Sequence, residues 1–117
     1  MSVMIAVSEQ IAEHLNQLPL TGNRADPESK VRALLEAEYQ RQLSHYRRID
    51  RQLSEKYGLT FGEFQRQQIV KQRGYSWDVE SDASEWAFAL SGIRTARRKL
   101  TELLGKAPDD DRSHVAV

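Results

Sequence analysis

The chain contains no cysteine in its 117 residues. That excludes disulfides, thiolate zinc sites and cysteine nucleophiles. It has no excess charge of either sign: 17 Lys and Arg balance 17 Asp and Glu. General nucleic-acid binders usually carry a basic surplus, so the balance argues against that class. No apolar run approaches the roughly 18 residues that span a bilayer. The first ten residues, MSVMIAVSEQ, lack the basic and long apolar regions of a secretory signal. A cytoplasmic protein without a membrane span is therefore expected. There is no P-loop, dinucleotide fingerprint or serine elbow. His14, His45 and His114 are scattered, and no pair has metal-ligand spacing on one helix. The reading is of a protein with no catalytic residues, no metal and no cofactor.

Glycine and proline are scarce, at six and three residues, and their positions punctuate the chain. None falls between Glu28 and Tyr57, so one uninterrupted helix is expected there. Asp26 is its N-cap, Pro27 its first residue, and Gly58 its left-handed stop. Val31, Leu35, Tyr39, Leu43, Tyr46, Ile49, Leu53 and Tyr57 recur at steps of three and four, the signature of one helical face. At 1.5 Å per residue such a rod is about 45 Å long. Domains of this size have a radius of gyration of only about 13–14 Å. The rod is thus expected to project or to pack against a second chain.

Before the rod, Met1–Val7 has the composition of a short strand, and Ser8 can cap a short helix running to Pro19. Leu20–Ala25 carries turn chemistry at Gly22-Asn23. Strand, short helix, turn and longer helix resembles the ribbon-helix-helix fold, in which paired strands from two chains enter the DNA major groove. The groove-facing positions of that fold are polar or basic, and Val3–Val7 offers none.

After the rod, Thr60 and Glu63 have capping-box spacing, and Leu59 and Phe64 occupy hydrophobic-staple positions. They predict a second helix over Phe61–Arg73, ended by Gly74. Tyr75–Asp82 alternates apolar and polar residues and reads as an irregular connector. Asp82 with Glu85 then predicts the cap of a third helix running from about Ala83 to Leu104, with Gly105 as its stop. Its apolar face is Trp86, Leu90, Ile93, Leu100 and Leu104, with Ala89 and Ala96 allowing close approach. The expected fold is mostly α: the long helix antiparallel on the C-terminal helix, a short helix between them, and Phe61, Phe64 and Trp77 closing one end. The segments are 1–25, 26–105 and a solvated tail at 106–117. A composition 39% apolar and 29% charged gives a thin core, which favours a homodimer.

Two surfaces stand out. Asp78, Glu80, Asp82 and Glu85 form the most acidic stretch, but the glycine and distal glutamate of a calcium-binding EF-hand are missing. Acidic residues beside Tyr75, Trp77 and Trp86 suit a basic protein partner. Arg94, Arg97, Arg98 and Lys99 form a basic cluster suited to nucleic acid or an acidic partner; such runs are more often a solvated face with weak ion pairs.

The segments EKYGLTFGEFQRQQ and YSWDVESDASEW resemble a group of small bacterial proteins encoded beside toxins. The shared features are Tyr57, Gly58, Leu59, Thr60, Glu63 and Phe64, then Glu80, Ser81, Asp82, Glu85 and Trp86. The resemblance covers about Glu36 to Leu104, and much of it is capping chemistry. It implies an antitoxin that binds and masks a cognate toxin, not an enzyme. The alternatives are a DNA-binding regulator of ribbon-helix-helix type, a helical adaptor, and a small enzyme with its site at a dimer interface.

Overall fold

The computed structural model describes residues 3–19 and 26–105. The order is α1 (Glu9–Gln17), α2 (Pro27–Tyr57), α3 (Phe61–Arg66), α4 (Ile69–Gln72) and α5 (Trp77–Leu104). Two compact units divide within α2, between Glu38 and Tyr39.

In the first unit, Ser8 caps α1 as its sequence predicts: Ile11 N–H donates to Ser8 Oγ at 3.2 Å. The expected strand is not formed among the described residues, since Val3–Val7 has no regular secondary structure. A strand needs ladder hydrogen bonds to a neighbour, and these residues have none. The Gly22-Asn23 turn and the acidic tail lie outside the described residues. Ser29 N–H donates to Asp26 Oδ1 at 2.7 Å, so Asp26 caps α2 and Pro27 opens it. Lys30 Nζ donates to the Asn16 carbonyl at 2.8 Å.

α2 is continuous over its 31 residues because nothing in its interior breaks the hydrogen-bond ladder. Gly58 ends it at φ +68°, and the N–H groups of Gly58 and Leu59 both return to the Ser54 carbonyl. Thr60 and Glu63 form the reciprocal capping box, at 2.9 and 3.2 Å.

The expected single helix over Phe61–Arg73 is two helices. Gln68 breaks it with a left-handed backbone, φ +53°. The reason lies in packing. Phe64 and Ile69 are both buried, yet five residues apart in one helix they would point roughly 140° apart. The break turns both toward the same core.

The connector also corrects an expectation. Trp77–Asp82 is the start of α5, not an irregular segment, and the cap is Ser76, whose Oγ accepts from Val79 N–H at 3.4 Å. Asp82 therefore caps nothing. Val79, Ala83, Trp86 and Leu90 follow helical spacing, which outweighs the short alternation before them. Gly105 closes α5 at φ +73°.

α5 runs antiparallel to the second unit's part of α2. Asp82 meets Lys56, Trp86 meets Asp50, and Gly92 meets Tyr46, so one number rises as the other falls. One core cluster gathers Leu43, Ala96 and Leu100. The other gathers Leu53, Phe64, Ile69, Val79 and Trp86. Ala89 and Ala96 are buried as expected and let the helices approach. Trp77 does not close the end of this core: it is 77% exposed, and Trp86, at 0%, fills that place. Burying each Leu or Phe here contributes about 1.5–3 kcal/mol.

Candidate functional site

The end of the helix pair where α2 stops and α5 begins holds the densest set of interacting side chains. At its centre is Trp86, whose indole N–H donates to Asp50 Oδ1 at 2.8 Å. Phe61 and Phe64 each tilt against the indole at 5.2 Å. Tyr57 meets Phe64 edge-on at 4.9 Å. Such pairs add about 0.5–1.5 kcal/mol each beyond area burial.

Around this core lies a polar network. Asp82 Oδ2 accepts from both Lys56 Nζ and Tyr57 OH, each at 2.6 Å. Burial pushes the Asp82 carboxyl up, but the two hydrogen bonds and the Lys56 charge outweigh it and hold it below its ordinary value. The bond to Asp82 raises Lys56. Burial, then the same carboxylate, raises Tyr57. Lys56 and Arg73 also lie 5.5 and 5.7 Å from the Tyr57 ring centre, within cation–π range.

The acidic and aromatic residues singled out in the sequence are thus divided. Trp86 and Asp82 turn inward, to Asp50 and to Lys56 and Tyr57. Tyr75 and Trp77 remain 59% and 77% exposed, and Asp78, Glu80 and Glu85 are exposed. Because the segment is helical, Asp78 and Glu80 stand roughly 200° apart about the axis. Asp78 lies on the Lys56 side, where its charge helps raise Lys56. The acidic residues are not one continuous strip.

Tyr75 is held in a left-handed conformation at φ +56°, directly after Gly74 at +69°. Tyr75 N–H donates to the Val70 carbonyl at 2.8 Å, which fixes the turn into α5. For a residue with a side chain this backbone costs about 1–2 kcal/mol. Beside it, α3, α4 and α5 enclose an apolar groove of about 460 Å³, with Phe61, Phe64, Ile69, Val70 and Ala83 in its wall and Gln68 and Ser84 at its rim.

At the far end of α5, Arg94 and Arg98 are exposed, while Arg97 and Lys99 are half-buried. Arg98 pairs with Glu102 at 3.3 Å, and Lys99 Nζ lies 5.7 Å from the Tyr39 ring centre. Arg47 is lowered by burial first and then by the like charge of Arg97. Part of the cluster is therefore engaged within the molecule. His45 packs against Tyr46 at 5.3 Å, His14 is exposed, and His114 lies outside the described residues. Among the described residues no three His, Asp or Glu side chains converge as a metal would need, and no helix is long and apolar enough to cross a membrane.

Sequence reasoning missed Asp50 as the acceptor for Trp86, and the gathering of Lys56, Tyr57 and Arg73 around Asp82. The spacing of Trp86 within an apolar stripe implies an indole in need of an acceptor. Which α2 residue supplies it depends on the register of the two helices.

These features define an α-helical hairpin closed at one end by an aromatic cluster, with exposed aromatics and a groove at that end. No protein-family model matches the chain, and no curated protein or solved structure is significantly similar to it.

Proposed function

We propose that this chain is an antitoxin-like protein that captures a partner toxin and masks it. The contact surface is the turn into α5: Tyr75, Trp77, Asp78 and Glu80, with Glu85 on its flank, beside the groove of α3 and α4. The observation that carries this reading is Tyr75. Its left-handed backbone is unfavourable and its ring faces solvent, so the ring itself gains no burial in return for the strain, and the N–H bond to the Val70 carbonyl holds the turn. Strain of this kind collects where a surface is shaped for binding. Trp77 adds a second exposed ring two residues on. Exposed aromatics are enriched as binding anchors. The nearby carboxylates favour a basic partner and speed its approach.

Two variants test it, with the protein encoded beside this one as the partner. Tyr75→Gly relieves the left-handed strain, less the entropy glycine adds to the unfolded chain, and should stabilise the fold by about 0.5–1 kcal/mol. It should nonetheless weaken capture by about tenfold or more. Asp78→Lys with Glu80→Lys should slow association and leave the fold intact. Capture unchanged by both variants would remove this surface.

A further inference from the structure

Six residues of α5 follow one another at steps of four and three: Trp77, Ser81, Ser84, Phe88, Ser91 and Thr95. That spacing places them in a single stripe, the a and d positions of a heptad seam. Most of the stripe lies across α5 from Asp82, Trp86, Ala96 and Leu100, which meet α2, while its Phe88 ring meets Tyr46 of α2 edge-on at 5.8 Å. The stripe carries no charge, although 29% of the chain is charged. Its two aromatics are the most exposed large rings among the described residues, Trp77 at 77% and Phe88 at 64%.

We propose that this stripe is a self-association surface, on which α5 pairs antiparallel with α5 of a second copy. Two independent patterns select that occupant. The first is size. A two-fold axis midway between Ser84 and Phe88 sets Trp77 opposite the copy's Thr95, Ser81 opposite Ser91, and Ser84 opposite Phe88. Each large ring meets a small hydroxyl residue, as knobs meet holes. Recesses stand ready on both sides of Phe88: Ser84 borders the groove beside α3 and α4, and Ser91, Gly92 and Thr95 border a second of about 250 Å³. A parallel pair would stack Trp on Trp and Phe on Phe instead.

The second pattern is charge. α5 is acidic at its start, with Asp78, Glu80, Asp82 and Glu85, and basic later, with Arg94, Arg97, Arg98 and Lys99. The helix dipole rewards such an order only within the first and last turns, so it does not account for Glu85 or Arg94. Antiparallel pairing does use it. On one edge the flanking positions bring Glu80 beside the copy's Arg94, and the two-fold axis makes that pair twice.

One helix face about 30 Å long buries less than the roughly 800 Å² per partner of stable complexes. The dimer is therefore weak, with a dissociation constant on the order of 10–100 µM. It is read on the purified chain alone, so its failure leaves the toxin-masking reading standing. Trp77 belongs to both surfaces, so a captured partner would displace the second copy.

Sedimentation velocity over a concentration series should show a reversible monomer–dimer equilibrium. Trp77→Ala and Glu80→Arg, both at exposed sites, should each weaken it by about tenfold. Adding Arg94→Glu to Glu80→Arg should restore it, because the swapped charges then face each other in both pairs. The absence of native cysteine allows a direct check of direction. A Ser81→Cys chain mixed with a Ser91→Cys chain should give a disulfide-linked dimer under mild oxidation, and neither chain alone should. A monomer at about 1 mM chain, a double variant no better than Glu80→Arg, or cross-linking of Ser81→Cys with itself would each overturn the proposal.

Discussion

Asp82 joins the two long helices through one oxygen that accepts from both Lys56 and Tyr57. Its pH behaviour follows from the direction of its shift. The carboxyl titrates lower when folded than its ordinary value of 3.8. Its contribution to stability is therefore complete above that value and is lost as pH falls through the folded value. Lys56 and Tyr57 are raised, so their share persists below about pH 10 and is lost above it. Asp26 and Glu63 are also held low, each by a backbone N–H at a helix start, and they add to the acid limb. Comparing the chain with Asp82→Asn isolates one residue from that background. The variant should melt lower at pH 7. Below about pH 4 the wild-type melting temperature should fall faster, so that the two curves converge. Parallel curves across that range would show that Asp82 is not linked to folding.

At the scale of the element, the helices were legible where their ends carry their own chemistry. Asp26-Pro27, Gly58, Thr60 with Glu63, and Gly105 each act within one turn of the chain, and each stands where its neighbours in sequence place it. The misreadings share one cause. Gln68 breaks a helix without glycine or proline, because Phe64 and Ile69 must reach the same core, and that demand arises across the fold. Asp82 has the spacing of a cap, yet its carboxylate answers residues more than twenty positions away. The candidate surface was partly legible for the same reason: Tyr75 and Trp77 are outward, whereas the apolar spacing of Trp86 turns it inward despite its acidic neighbours, and the register of α2 against α5 decides that Asp50 meets it. That register is set tightly at Gly92, where an added Cβ would lie 2.5 Å from the Tyr46 ring. No atom fits there without separating the helices or displacing the ring. Gly92→Ala should destabilise by about 1–3 kcal/mol, despite the higher helix propensity of alanine. Gly92→Ala with Tyr46→Leu should recover part of the loss, since the flat ring is what crowds the site. Chemical denaturation of the two variants measures both effects. A stabilised Gly92→Ala would mean that the helices are not so close.

For the whole molecule, the decisive fact is where the buried side chains are. All of those among the described residues fall between Leu43 and Leu100, within the second unit. The described residues of the first unit include none, and α1 has no buried residue. A nine-residue helix is below the roughly 12–15 residues at which isolated helices become even marginal in water. In the first unit Val3, Met4, Ile5, Ile11, Leu34 and Leu35 are exposed. Tolerance to truncation follows burial and hydrogen bonding rather than position. Removing residues 1–25 deletes no buried side chain among the described residues, keeps the Asp26 cap of α2, and gives up the Lys30–Asn16 bond. The shortened chain should therefore unfold cooperatively, with stability changed by less than about 0.5–1 kcal/mol. Its near-ultraviolet circular dichroism, to which the buried Trp86 contributes, should be retained. Thermal unfolding followed at 222 nm and in the near ultraviolet reads both. A broadened transition, or loss of the near-ultraviolet signal, would show that the N-terminal segment supports the helical hairpin through contacts that burial in the single chain does not reveal.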